Sequence, residues 1–276
     1  MKWNGLQLAP TTVHFDGENV KMLPPMSRSV RYIVQTVVRG CAPYAFASLV
    51  APAQASSIEV LTEENPPFNF RDSQGIGGIS TEIVNEMGRR AGVTMVIHWT
   101  SWVRAYQGAI KNPNTCVYST VRLPEREALF KWVGPIASNK WALFARTDFD
   151  KPIKTIDDAR PFRIGGVSQD ANIMYLQSLG FTHFDLVGED YLNLNKLAAS
   201  RIDFWIAPYY KGKELIKRSG QSNIHPILMV REVDYYLACN PKTSDDALDG
   251  LSHALQTLNA EGFVKSTLNR YSDWFN

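Results

Sequence analysis

From residue 58 onward, short runs rich in β-branched and aromatic residues alternate with stretches whose apolar positions recur every three or four residues, the periods of strand and helix respectively. Residues 58–61 read as a first strand. Ile79, Ile83, Val84, Met87 and Ala91 share one helix face, with Ser80 or Thr81 as the candidate cap and Gly92 as the stop. Further strands are expected over 93–99 and 116–119, with a helix over 102–110 between them, and Pro124 opens a short helix at its first turn, where a missing N–H costs nothing. The segment 134–140 reads as a connection. Beyond it the pattern predicts strands over 141–146 and 163–167, a helix over 172–179, a strand over 185–187 and a helix over 191–199. A strand over 204–207, a helix over 210–219 and strands over 224–229 and 235–240 follow. Two closing helices, 245–261 and 263–270, carry Leu248, Leu251, Leu255 and Leu258 on one face. Such alternation implies βαβ units, an α/β fold and largely parallel sheets.

Charge changes the picture at one end. Twenty-nine Lys+Arg against 27 Asp+Glu leave a net +2, too balanced for a nucleic-acid binder working through phosphate attraction. Residues 1–55 carry five basic and two acidic side chains, so residues 56–276 are net −1. The basic part, 26–55, runs MSRSVRYIVQTVVRG and then CAPYAFASLVAPAQA: a positive n-region, a short apolar run and a small-x-small site, as a secretory signal peptide requires. Cleavage is expected after Ala55, with residues 1–25 an upstream extension and translation starting at Met26, or Met22. A membrane anchor is the competing reading, but the apolar run is short and holds Pro43 and Pro52. A lipoprotein box at Val38-Arg39-Gly40-Cys41 would have to accept an arginine. Export places the mature chain in the periplasm.

Much chemistry is missing. Three cysteines form no CxxC pair, five histidines stand far apart, and no metal site is expected. There is no nucleophile elbow, phosphate loop or dinucleotide fingerprint; Gly75-Ile-Gly-Gly78 reads as a turn. No catalytic residue and no cofactor is expected. Lys211, Lys213, Lys217 and Arg218, on a helix with Glu214, read as a solvated face.

The run Thr62-Glu-Glu-Asn-Pro-Pro-Phe-Asn-Phe70, the turn after it, helix 80–91, then Leu123-Pro-Glu-Arg126 and Phe130-Lys-Trp-Val-Gly-Pro135 together resemble the family 3 extracellular solute-binding proteins, periplasmic receptors of polar amino-acid ABC importers. The resemblance covers 58–275. It implies a two-lobe periplasmic-binding-protein fold of type II, each lobe a mainly parallel sheet flanked by helices, joined by two hinge crossings. Lobe 1 would hold 56–136 and 240–276, lobe 2 137–239. A monomer would capture a small polar ligand, an amino acid or related carboxylate, by hinge closure and deliver it to an ABC permease in the inner membrane, without nucleic acid. A sensory receptor is the alternative; an enzyme of dehydratase type on the same fold is the third, with Glu63 or Glu64 as general acid. Cys116 and Cys239 are expected in different lobes as separate thiols, though export would permit a bridge.

The resemblance also implies a site. Arg126 falls where the family grips the ligand carboxylate, a task suited to a planar fork of donors. Ser119 and Thr120 stand at a strand end, where they meet the ligand or merely cap the strand. Arg122 either draws anions to the pocket or pairs with a glutamate outside it. Phe68, Trp102 and Trp141 are pocket walls or core, and Arg104 faces the cleft or solvent. Ser168, Gln169 and Asp170 open helix 172–179, whose N-terminus would meet the ligand from lobe 2 unless Asp170 only caps it. Amino-acid binders of the family commonly have serine, threonine and aspartate where this chain has Val121, Leu123 and Pro208. The acids placed to replace the aspartate are Glu63, Glu64 and Asp170, and Glu64 or Asp170 is the expected partner of a ligand cation.

Overall fold

The computed structural model describes residues 57–275; the expected signal peptide and upstream extension lie outside them. β1 (Ser57–Thr62) leads into a small hairpin, β2 (Phe70–Asp72) and β3 (Gly75–Gly77), closed by Asp72 Oδ1 accepting the amides of Gln74 and Gly75. Then come α1 (Ile79–Ala91), β4 (Thr94–Trp99), α2 (Trp102–Lys111) and β5 (Thr115–Val121). A 3₁₀ turn (Pro124–Leu129) precedes the long β6 (Lys131–Arg146). β7 (Ile164–Val167), α3 (Ala171–Ser178), β8 (Phe184–Val187), α4 (Asp190–Ala198), β9 (Phe204–Pro208) and α5 (Tyr209–Ser219) follow. β10 (Ile224–Cys239), α6 (Asp245–Ala260) and α7 (Phe263–Arg270) complete the series.

One eight-stranded sheet runs β4-β1-β5-β10-β6-β9-β7-β8. β1 is parallel to β4 and β5, and β7 is parallel to β8 and β9. Between these parallel sets lie β10 and β6, antiparallel to each other and to the strands they border. Each parallel set has its own core. Ile58 and Val60 pack with Ile83, Val84 and Met87 of α1 and with Leu248, Leu251, Leu255 and Leu258 of α6, each such side chain contributing roughly 2 kcal/mol on burial. In the second set Ile164, Phe204 and Ile206 pack on Ile173 and Leu176 of α3, while Trp205 meets Leu194 and Leu197 of α4 on the other face.

Three expectations are corrected. The connection over 134–140 and the two strands over 224–229 and 235–240 are parts of the continuous β6 and β10. Gly134 and Pro135 looked like a break, but the register jumps from Val133↔Leu237 to Ala137↔Tyr235, so they are absorbed as a bulge, where a strand tolerates proline. Next, α1 begins at Ile79 with Gly78 as its cap. Ser80 and Thr81 are buried inside it, and the Thr81 hydroxyl bonds Tyr118 Oη at 2.7 Å instead. Gly78 is required there: its φ is +111°, and a Cβ would stand 2.5 Å from the Phe68 carbonyl oxygen. Finally, Cys116 and Cys239 form a disulfide. They are directly opposite in the antiparallel β5–β10 ladder, because the last residues of β10 run beside β5, the border strand of the first parallel set.

Candidate functional site

The carboxyl ends of the parallel strands in both sets face one another across β6 and β10, the place where open α/β sheets bind ligands. There Glu63, Asn65, Trp102, Ser119, Val121, Arg126, Trp141, Asp170, Pro208 and Tyr235 enclose a cavity of about 20 Å³, room for about one water molecule. Glu63 follows β1, Ser119 and Val121 end β5, Arg126 lies in the 3₁₀ turn, and Trp102 opens α2. Asp170 precedes α3 and Pro208 ends β9. The hinge strands contribute Trp141 and Tyr235.

Arg126 is fully buried. Its guanidinium lies 4.8 Å from the Tyr106 ring centroid and 5.4 Å from that of Trp102, within cation–π range. Nη1 donates to the Val121 carbonyl at 3.1 Å and Nη2 to the Gln169 carbonyl at 2.8 Å, while buried Nε has no acceptor. Burial pulls its pKa down, against the field of Tyr106 and Asp170. Trp102 Nε1 donates to the same Gln169 carbonyl at 3.1 Å, and Gln107 Nε2 to the Gln169 side chain at 2.6 Å. Gln169 holds φ at +62°, which turns its carbonyl toward them.

Asp170 caps α3, accepting from the Ala171 amide at 2.5 Å and from Asn172 Nδ2 at 3.2 Å. Burial raises its pKa, as does Asp190. Glu63 is pushed up to about 8 by burial, with Asp170 and Asp190 adding to the effect and Lys211 opposing it. The Lys211 ammonium lies 3.2 Å from Glu63 Oε2 and 2.8 Å from Asp190 Oδ2. Burial works against its charge, but those two carboxylates more than compensate and hold its pKa above the ordinary lysine value. Asp190 Oδ1 also accepts from Trp205 Nε1 at 3.0 Å. Lys211 therefore departs from the solvated face expected of it, while Lys213, Lys217 and Arg218 are exposed.

Of the residues singled out in the sequence, Glu63, Trp102, Ser119, Arg126, Trp141 and Asp170 line the cavity. Gln169 does not line it; its carbonyl accepts from Arg126 and Trp102, which do. The Ser119 hydroxyl donates to Asn69 Oδ1 at 2.5 Å. Others stand elsewhere. Glu64 accepts from Arg218 at 3.1 Å; Arg122 forks onto Glu127 at 2.7 and 2.5 Å, outside the cavity. Arg104 donates to Thr100 at an exposed position. Thr120 is buried and bonds the Val117 carbonyl, Ser168 joins the β8 end through its amide, and Phe68 is core, edge-on to Tyr235 at 5.1 Å. Asn65, Tyr235 and Lys211 were missed. Tyr235 Oη accepts from Asn65 and Asn139 at 3.0 and 2.8 Å, a pairing between residues far apart in the chain that no local pattern announces. No cluster of His, Cys, Asp and Glu among the described residues is arranged to hold a metal.

The sequence pattern of the bacterial extracellular solute-binding proteins, family 3, matches residues 58–274. No curated protein matches the chain. Among solved structures, a histidine kinase sensor domain with similarity to periplasmic binding proteins superposes with TM-score 0.71 at 19% identity, covering 78% of this chain and 95% of that one. A mutant of ArgBP from T. maritima gives TM-score 0.68 at 16% identity, with 80% and 95% covered. A structure described with glutathione import via GshT and the cystine ABC importer TcyBC of Streptococcus mutans gives 0.66 at 18% identity, with 78% and 94% covered. At these identities the likeness is one of fold: two lobes, each an α/β sheet, joined by two crossings.

Proposed function

Because the chain belongs to the bacterial extracellular solute-binding proteins, family 3, we propose that it is an exported receptor that captures a small polar ligand, an amino acid or related carboxylate, and hands it to an ABC importer. The observation that carries the reading is Arg126: a buried guanidinium at the seam of the two lobes, donating across it to the Gln169 carbonyl. A ligand carboxylate offers the same guanidinium two charged acceptors in place of neutral carbonyls, the stronger form of the bond. The cavity is too small for an amino acid, so entry requires the lobes to part and close again. The hinges are the middles of β6 and β10, since Ala137 still pairs with Tyr235 of the lobe 1 side while Trp141 already pairs with Pro208 of β9. Lobe 1 then comprises 56–136 and 240–276 with the disulfide-tied end of β10, and lobe 2 the remainder of 137–239. A ligand touching both lobes shifts the open–closed equilibrium by its extra contacts in the closed form.

Binding rather than catalysis is favoured because the group ion-paired to Glu63, Lys211, is held protonated by Asp190 and Glu63 together and is not poised to exchange a proton. Sensing is a second reading, supported by the likeness to a histidine kinase sensor domain; the closed form would then be presented to a signalling partner. A thermal-shift screen of amino acids, amines and small carboxylates on the full-length protein tests the proposal. A ligand at one hundred times its Kd adds about 2.7 kcal/mol and must be recovered unchanged after long incubation. Consumption of the ligand would mark an enzyme.

A further inference from the structure

α5 is built into the second parallel set: its Leu215 and Ile216 pack with Phe144 and Trp205, and Gly212 lets the helix lie close on the Phe144 ring. The same helix is also held at four places by the segment that follows β1 and by the chain end after α7. Lys211 reaches Glu63 at 3.2 Å, and Arg218 Nη1, two turns further along the helix, donates to Glu64 Oε1 at 3.1 Å. The Tyr210 ring lies 6.3 Å from that of Phe68 and 5.0 Å from that of Phe275, edge-on to the latter. Phe275 is fixed by what precedes it. Trp274 stacks on Phe70 at 6.2 Å, and the Tyr271 hydroxyl donates to Glu82 of α1 at 2.7 Å.

Of these contact residues only Glu63 lines the cavity. The contacts of Arg218 and Tyr210 thus bypass the ligand site and hold α5 in place whether or not the cavity is filled. A groove of about 640 Å³ separates the remainder of α5 from Trp274, so the junction rests on these few contacts.

We propose that α5 is a clasp: by gripping the segment after β1 and the chain end at Phe275, it holds the cavity shut in the ligand-free protein and must release before a ligand can enter. This rests on the receptor reading above, in which the two parallel sets part at β6 and β10. A receptor closed by its ligand alone needs no side-chain contacts between the sets outside the site. Here such contacts supply a difference in free energy between shut and open forms that no ligand provides. The clasp is therefore autoinhibitory, because capture waits for the opening of α5 and only the open fraction can admit a ligand.

Spin labels at Asn195→Cys in α4 and Lys265→Cys in α7, both exposed positions, report the opening by pulsed electron resonance on the full-length protein carrying Cys41→Ser. Without ligand, the unaltered clasp is expected to give one main distance, with the open form in about a tenth of molecules or fewer. Arg218→Ala combined with Phe275→Ala removes an exposed ion pair and an aromatic contact, and is expected to raise the open-to-shut ratio at least about tenfold with circular dichroism unchanged. Lys217→Ala, at the exposed neighbouring position of the same helix, should leave the distances as they are. A ligand-free parent that is already mainly open would overturn the proposal. So would a double variant as shut as its parent, or a Lys217→Ala variant that opens equally. None of these results bears on the receptor reading, which fails only if the thermal-shift screen finds no ligand or finds one consumed.

Discussion

Arg126 donates through Nη2 to the carbonyl of Gln169 at 2.8 Å, joining residues 43 positions apart, one in the turn after β5 and the other just after β7. The same carbonyl accepts from Trp102. In the proposed receptor this backbone oxygen occupies donors that a ligand carboxylate would take, so capture would exchange an internal contact for a charged one.

Lys211 and Asp190 form a buried pair, and breaking such a pair from one side typically costs 3–5 kcal/mol because the remaining charge stays unmatched. Lys211→Met is expected to lower the unfolding free energy by about that amount in urea. Lys211→Met combined with Asp190→Asn should be less destabilised than the sum of the single changes; strict additivity would show that the ion pair is not coupled.

Glu63 gives stability a definite pH dependence. Its carboxyl is pushed up to about 8 in the folded chain against an ordinary 4.5, so between these values the folded protein holds a proton that the unfolded one releases. Its contribution becomes progressively unfavourable as pH rises through that window, with a limiting slope of about 1.4 kcal/mol per pH unit. The ionisable groups facing it are Lys211, Asp170 and Asp190. Glu63→Gln should flatten the loss of stability between pH 5.5 and 8, measured by chemical denaturation. An unaltered profile would remove Glu63 as its source.

The Cys116–Cys239 bridge closes a loop spanning a sequence separation of 123 residues, and loss of a native bridge costs about 2–5 kcal/mol. The Cys116→Ala, Cys239→Ala double variant is expected to melt lower than the parent, and a reductant should lower the parent's melting point but not the variant's. If a reductant lowers both equally, the bridge is not the cause.

Much of this was legible in the chain because the information was local. The apolar faces of α1 and α6 and the αL stop at Gly92 follow from spacing and residue type alone. Arg126 was singled out only through the family resemblance that the Leu-Pro-Glu-Arg run carries; its burial had no local signal. The hinge strands were not: Arg231-Glu232-Val233-Asp234 and Gly134-Pro135 look like turns, and only pairing along the full lengths of β6 and β10 keeps them in the sheet. Lys211 was misread because its neighbours Lys213 and Lys217 are solvated. The overlooked signal was Gly212, a costly residue inside a helix, where a Cβ would stand 2.3 Å from the Phe144 ring. That close approach of α5 to β6 buries the adjacent lysine. Glu63 and Glu64 are indistinguishable in sequence; the direction of the chain leaving β1 sends one toward the cavity and the other to Arg218.

The central claim is that Arg126 holds the ligand carboxylate. The most direct measurement is calorimetric titration of the full-length protein and its Arg126→Ala variant with the tightest-binding carboxylate of the thermal-shift screen. The account expects the variant to bind about a hundredfold or more weakly, two charge-assisted bonds being worth roughly 1.5–3 kcal/mol each, with its fold retained by circular dichroism. An affinity unchanged in a folded Arg126→Ala variant would contradict it.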